Sequence, residues 1–274
     1  EKFRIFLLSE ENLAEQTVRQ YVYDCYVLMR YVTTQPEEKT EWSEVSEADI
    51  RGLFVKQAIK PARKRRMLSS IKKFWQYLKS ENVIADATLN VKTPKLPLRL
   101  PIYLSNDELK KLLAAARDQP NEDQALRDWA VCAFLYGTGC RLSEMTHLNL
   151  DHIEYNANQM PTTIRFVGKG DKERQIYLAT TAQRALSEWL KVRLKMKVDS
   201  PYVFITLTGH KKGEPLNPRT LQYAMIRIGT KAGISREKLT PHKLRHSHAT
   251  ALFDADRRTE EVQEVLGHSN INMT

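Results

Sequence analysis

Between Leu13 and Val32 the apolar positions fall at Val18, Tyr21, Val22, Cys25, Leu28, Met29 and Val32, the three-and-four spacing that lines one face of a helix. Ser46 followed by Asp49 is a capping box with aspartate in the usual Glu/Gln place, and predicts a second helix to about Ile59. Pro61 opens a third, with Leu68, Ile71, Phe74, Trp75 and Leu78 on one face. Beyond residue 104, Ser105 and Glu108 form a full capping box for a helix to about Arg117, and another helix is predicted from Glu122 to Tyr136. Thr163 to Val167 and Arg174 to Leu178 read as strands around a turn at Gly168-Lys169-Gly170-Asp171-Lys172-Glu173. Helices follow over Thr181–Lys197 and Pro218–Lys231, with one more possible strand at Pro201–Thr206 between them. Thr240 caps a helix that starts at Pro241, and Glu260–Leu266 reads as a last short one.

The two halves meet at Asn90 to Pro101. Three prolines there (Pro94, Pro97, Pro101) disfavour helix and central strand alike and leave a stiff extended connection. The expected organisation is a helical domain over 1–90, a basic proline-rich linker over 91–103, and a domain over 104–274 that is mainly helical with a small antiparallel sheet.

Charge sharpens this picture. The 274 residues carry 43 Lys+Arg against 33 Asp+Glu, a net +10, but unevenly. Residues 1–50 hold eleven acids against five bases, whereas 51–80 hold ten bases and no acid. Arg63, Lys64, Arg65 and Arg66 crowd the first turns of the third helix, where the backbone dipole disfavours cations. A phosphate backbone would favour them there, with Lys72, Lys73, and Lys95 and Arg99 of the linker; a solvated helix face gives the same run. No window approaches eighteen apolar residues, which excludes a transmembrane helix. The start has no hydrophobic leader, and Cys25, Cys132 and Cys140 are too few and scattered for a disulfide scaffold or a CxxC zinc site. A cytoplasmic protein with no cofactor is expected.

Four short segments could carry chemistry. Gly137 and Gly139 end a buried helix just before Arg141, which Glu144 three residues on could hold rigid; a helix cap with a structural ion pair reads the same way. Lys169 lies between two glycines at a turn, as an active-site arm or as a solvated loop; the spacing of a P-loop is absent. His242 and Arg245 share one face of a helix start, where backbone N–H groups favour phosphate and arginine offers a two-pronged fork. His242 and His246 also have the spacing of a zinc helix, but without its intervening glutamate, and no metal is expected. Leu266-Gly267-His268 places a last histidine at a fixed corner.

Taken in order, Gly137–Glu144, Gly168–Arg174, Pro241–Thr250 and the Gly267-His268 pair resemble the signature of the tyrosine recombinase (phage integrase) family, nearest its Xer-type and compact transposon-integrase members. The resemblance spans nearly the whole chain. It implies a helical, SAM-like core-binding domain followed by a catalytic domain, the pair clamping duplex DNA, with dimers and tetramers assembling on two sites. It also implies roles: Arg141 and Arg245 hold the scissile phosphate, Lys169 protonates the leaving 5′-oxygen, His242 assists acid/base transfer, and His268 bonds the phosphate. His152, preceded by Asp151, stands where many relatives carry an aspartate. The family's nucleophilic tyrosine would fall at position 277, three residues past Thr274. These 274 residues are therefore expected to bind DNA without forming the 3′-phosphotyrosyl bond, and to assemble weakly without the helix that docks on a neighbour. Glu1 to Leu13 leads almost directly into the core-binding helices, and no arm-binding domain is expected within these residues. The alternative is a sequence-specific DNA-binding protein descended from a recombinase. A metal-dependent nuclease lacks the convergent carboxylates it would need.

Overall fold

The computed structural model describes residues 1–95, 102–167 and 173–254, and the chain divides into two compact units, Glu1–Arg99 and Leu100–Thr274. Lys169, His268 and Arg99, and the last helix expected near residue 260, lie outside the described residues.

The first unit is four helices: α1 (Lys2–Ser9), α2 (Glu15–Val32), α3 (Glu47–Lys56) and α4 (Pro61–Ser80). The apolar stripes foreseen on α2 and α4 meet, burying Val18, Leu28, Met67, Leu68 and Ile71. Asp49 reaches back to the Ser46 N–H at 2.7 Å, so the shortened capping box does form. The first helix, α1, was not foreseen. Its Phe3 packs edge-on against Phe74 with ring centres 4.7 Å apart, and this tertiary contact orders a segment too short to be stable by itself.

The second unit carries α5 (Asn106–Arg117), α6 (Glu122–Thr138), α7 (Leu142–Thr146), α8 (Thr180–Lys195), α9 (Pro218–Lys231) and α10 (Pro241–Asp254). Helix α6 is apolar on nearly every side and runs through the core, with α5, α8 and α10 packed around it. The sheet is antiparallel in the order β1 (Ile153–Tyr155), β2 (Pro161–Val167), β3 (Glu173–Tyr177), with Arg165 opposite Gln175 and Val167 opposite Glu173. The fold is thus mainly α with a small antiparallel sheet.

Two expectations need correction. Strand β1 escaped the sequence reading because three residues carry too little alternation to register. Pro201–Thr206 is not a strand. It makes only isolated bridges, Asn149 to Tyr202 and Ile205 to Pro215. Val203, Phe204 and Ile205 are all fully buried in succession, and Trp189 Nε1–H donates to the Val203 carbonyl at 2.9 Å. An apolar run that fills a core from a loop looks, in sequence, like a strand buried on both faces.

Candidate active site

The site grows from the end of α6. Gly137 lies against α8, where a Cβ would stand 2.9 Å from that of Ala182. Gly139 closes the helix in the left-handed region, at φ 57° and ψ 18°, which side-chain-bearing residues adopt at a cost. Thr138 Oγ1 donates to the Phe134 carbonyl at 2.8 Å and accepts from the Cys140 N–H at 3.3 Å. The chain is thereby turned sharply enough for Arg141 to cap α7.

Glu144 fixes that turn. Its Oε2 accepts the Arg141 N–H at 2.7 Å, and its Oε1 accepts from Arg141 Nη1 at 2.9 Å. The same carboxylate takes both terminal nitrogens of Arg174 on β3, at 3.1 and 2.8 Å. Arg174 lies over the Phe166 ring, 5.1 Å from its centre. Burial alone would raise the Glu144 pKa, but the hydrogen bonds from Arg174 and from the Arg141 backbone, with the charges of Arg174, outweigh it and hold the carboxyl below its usual range.

Arg245 arrives from α10. Thr240 caps this helix, its Oγ1 accepting the Lys243 N–H at 3.2 Å, and Pro241 opens it. Arg245 is buried, and its Nη1 donates to the Gly139 carbonyl, so the glycine that turns α6 also seats the second arginine. Burial first, and then the Arg141 charge, push the Arg245 guanidinium down to about 10. Two arginines held this close in a partly desolvated pocket repel one another, and an anion between them would relieve that repulsion.

His242 and His246 lie one turn apart, with Nε2 atoms 3.0 Å from each other. Burial lowers both, reinforced at His242 by Lys243 and Arg245. His248 faces the other way, edge-on to Tyr136 with ring centres 6.0 Å apart. Among the described residues, no group of three or more His, Cys, Asp or Glu side chains is arranged to hold a metal ion.

Of the five residues singled out from sequence, Arg141, His242 and Arg245 thus gather around the end of α6 and the start of α10. His152 sits 4.0 Å from Asp151, in the turn leading into β1. The sequence singles out no role for Arg174, and for His246 only a metal-ligand spacing that it sets aside; their side-chain partners, which spacing does not reveal, mark them out.

The basic residues of the first unit divide in two. Arg63, Arg65, Lys72 and Lys95 are exposed, and Lys64 leans its Nζ over Phe54. Arg66 instead donates at 3.2 Å to Asp24, a fully buried carboxylate that also accepts from Ser70 at 2.8 Å, and Lys73 pairs with Glu11 at 3.0 Å. All three cysteines are free and buried, and no helix of the described residues is long and apolar enough to cross a membrane.

The model described as the phage integrase family matches residues 103–274, and that of the phage integrase N-terminal SAM-like domain matches 1–82. A tyrosine recombinase XerC of Alcanivorax borkumensis is 34% identical over 99% of this chain and 86% of its own. Among solved structures, XerH site-specific recombinase bound to its palindromic difH substrate superposes with a TM-score of 0.77 at 24% identity, covering 96% of this chain and 76% of that one. A lambda integrase tetramer bound to a Holliday junction gives 0.71 at 18%, covering 98% and 73%. With two family models in the right order and a relative this similar along almost its full length, the chain belongs to the phage integrase family of tyrosine-type site-specific recombinases, which cleave and rejoin DNA.

Proposed function

We propose that this protein recombines a specific duplex DNA site through a 3′-phosphotyrosyl intermediate, assembling on that DNA as dimers and tetramers. The observation that carries the reading is the pairing of Arg245, buried on the Gly139 carbonyl, with Arg141, braced by Glu144. Binding DNA needs no such arrangement. Stabilising the negative charge that builds on the oxygens of one phosphate does. Arg141 and Arg245 hold the non-bridging oxygens of the scissile phosphate, and His268 adds a hydrogen bond. A tyrosine at position 277 supplies the oxygen that attacks phosphorus, and His242 assists its deprotonation. As the bond from phosphorus to the 5′-oxygen breaks, Lys169 gives that oxygen a proton; rejoining is the reverse. The exposed Arg63, Arg65 and Lys72, together with Lys64, Lys95 and Arg99, neutralise backbone phosphates. Arg66 and Lys73 support that surface from within their ion pairs.

The 274-residue polypeptide should bind DNA without becoming covalently attached. A polypeptide extended through a tyrosine at 277 should form an adduct with a 3′ phosphate, and phenylalanine there should abolish the adduct while leaving binding near normal. Tight, site-specific binding that never yields an adduct would favour the alternative, a DNA-binding protein without chemistry. Lys169→Ala should slow cleavage of an ordinary phosphodiester far more than of one whose bridging 5′-oxygen is sulfur, since a thiolate leaves without a proton. Equal slowing would reassign Lys169 to a DNA contact.

A further inference from the structure

His242 and His246 project from the same side of α10, with ring centres 4.4 Å apart and planes nearly perpendicular at 79°. Their Nε2 atoms, 3.0 Å apart, are within hydrogen-bonding distance, so one must carry a proton and the other offer its lone pair. We propose that His246 is the positioning partner of His242: protonated on Nδ1, its ring accepts a hydrogen bond from His242 Nε2–H and stabilises the protonated form of His242. The inference rests on the acid/base reading of His242 given above.

The surroundings decide which ring donates. Lys243 and Arg245, on the same helix, disfavour added charge on either ring. Charge on one ring opposes charge on the other, so the pair takes up a single proton first, and the more exposed His242 holds it at the smaller desolvation cost while His246 stays neutral as the acceptor. The remaining charged groups gather at Arg245 from other elements: Arg141 and Glu144 at α7, and Arg174 on β3. A phosphate entering between the arginines offsets these cations and raises the proton affinity of the pair. DNA thereby charges His242 where it is needed, while the bond to His246 fixes the ring's tilt and leaves Nδ1 as its second edge. No group outside the pair has to supply the acceptor.

The test is a titration of the DNA-free 274-residue protein with 15N-labelled histidine, followed by NMR. In the wild type, His246 should show the Nδ1–H tautomer at neutral pH. His246→Phe removes the acceptor and should lower the midpoint of His242 by about one to two pH units, the size of one charge-assisted hydrogen bond. His246→Asn, whose side-chain oxygen can accept, should restore a large part of that shift. An unchanged or raised midpoint in His246→Phe, or an Nε2–H tautomer for His246 in the wild type, would overturn the proposal. The tautomer measurement needs no substitution, so it stands even if a variant misfolds. Neither measurement involves cleavage, so the pair can fail while the recombinase reading survives, and the reverse.

Discussion

Arg174 meets Glu144 fork to fork across 30 positions of chain, at 3.1 and 2.8 Å, while Arg141 Nη1 donates to the same carboxylate at 2.9 Å. One carboxylate thus ties β3 to the turn that carries Arg141.

Removing Arg174 should therefore cost stability as well as activity. Arg174→Ala leaves a mostly buried carboxylate with only Arg141, and should destabilise the second unit by about 2–3 kcal/mol in urea unfolding. Arg174→Lys keeps the charge but loses the fork, and should recover less than half of that. Because folding depresses the Glu144 pKa from 4.5, its contribution is full above that value and is lost as pH falls below it. An Arg174→Ala protein as stable as the wild type at pH 7 would contradict this account.

His248 sets a second and higher pH window. Its Nε2 is buried with no hydrogen-bond partner among the described residues, and burial, with the Arg245 charge, pushes its pKa from 6.5 down to about 4. The unfolded chain then takes up a proton that the folded one refuses, so stability should fall as pH drops from 6.5 towards 4, by about 3 kcal/mol. His248→Phe removes the stranded nitrogen and should flatten that part of the curve. A persisting slope between those values in the variant would assign it elsewhere.

Arg65 and Arg66 are neighbours with different fates. Arg65→Ala should leave the melting temperature unchanged and reduce the salt dependence of DNA binding by about one counterion. Arg66→Ala leaves the buried Asp24 carboxylate with Ser70 and Gln20 alone, and should destabilise the first unit by about 1–2 kcal/mol. Calorimetry beside a salt-dependent binding series separates the two; equal melting temperatures would place Arg66 with the exposed cations.

Gly229 tests how α9 meets the chain behind it. A Cβ there would fall 2.1 Å from Leu239 Cδ2, well inside contact distance. Gly229→Ala should overpack this boundary and cost about 1–3 kcal/mol, against the usual helix gain from alanine. Trimming Leu239 to Ala in the same protein should recover part of the loss, and a Gly229→Ala protein more stable than wild type would show that Leu239 moves freely.

Long amphipathic helices were plain in the sequence because their stability comes from a stripe that has to face a core: α2, α4, α5 and α9 all lie where the spacing put them. Residues set by backbone punctuation were legible too. Arg141 follows a glycine turn, and His242 and Arg245 follow Thr240-Pro241. What spacing could not convey was which partner a side chain meets. Arg66 and Arg65 look alike in a basic run until Asp24, 42 positions away from Arg66, claims one of them. Val203 to Ile205 look like a strand until burial on every side shows that no ladder runs along them.

The bond from the Leu104 N–H to Ser247 Oγ, 2.8 Å long, joins residues 143 apart, and two more fasten α5 and the residues just after it to late sequence: Lys238 to Glu108 and Arg227 to Gln119. A ribosome adding about 5–20 residues each second needs roughly seven to thirty seconds to travel that distance. During this interval α5 can already lie on α6, yet the side it turns to α9 has nothing to cover it. The nascent second unit is thus obliged to wait for α9, and Leu104 waits further still, for Ser247 on the helix that delivers His242 and Arg245. Birth order and core are locked together: a ribosome stalled before residue 241 leaves the core without Leu244 and the turn of Gly139 without the Arg245 that seats on its carbonyl.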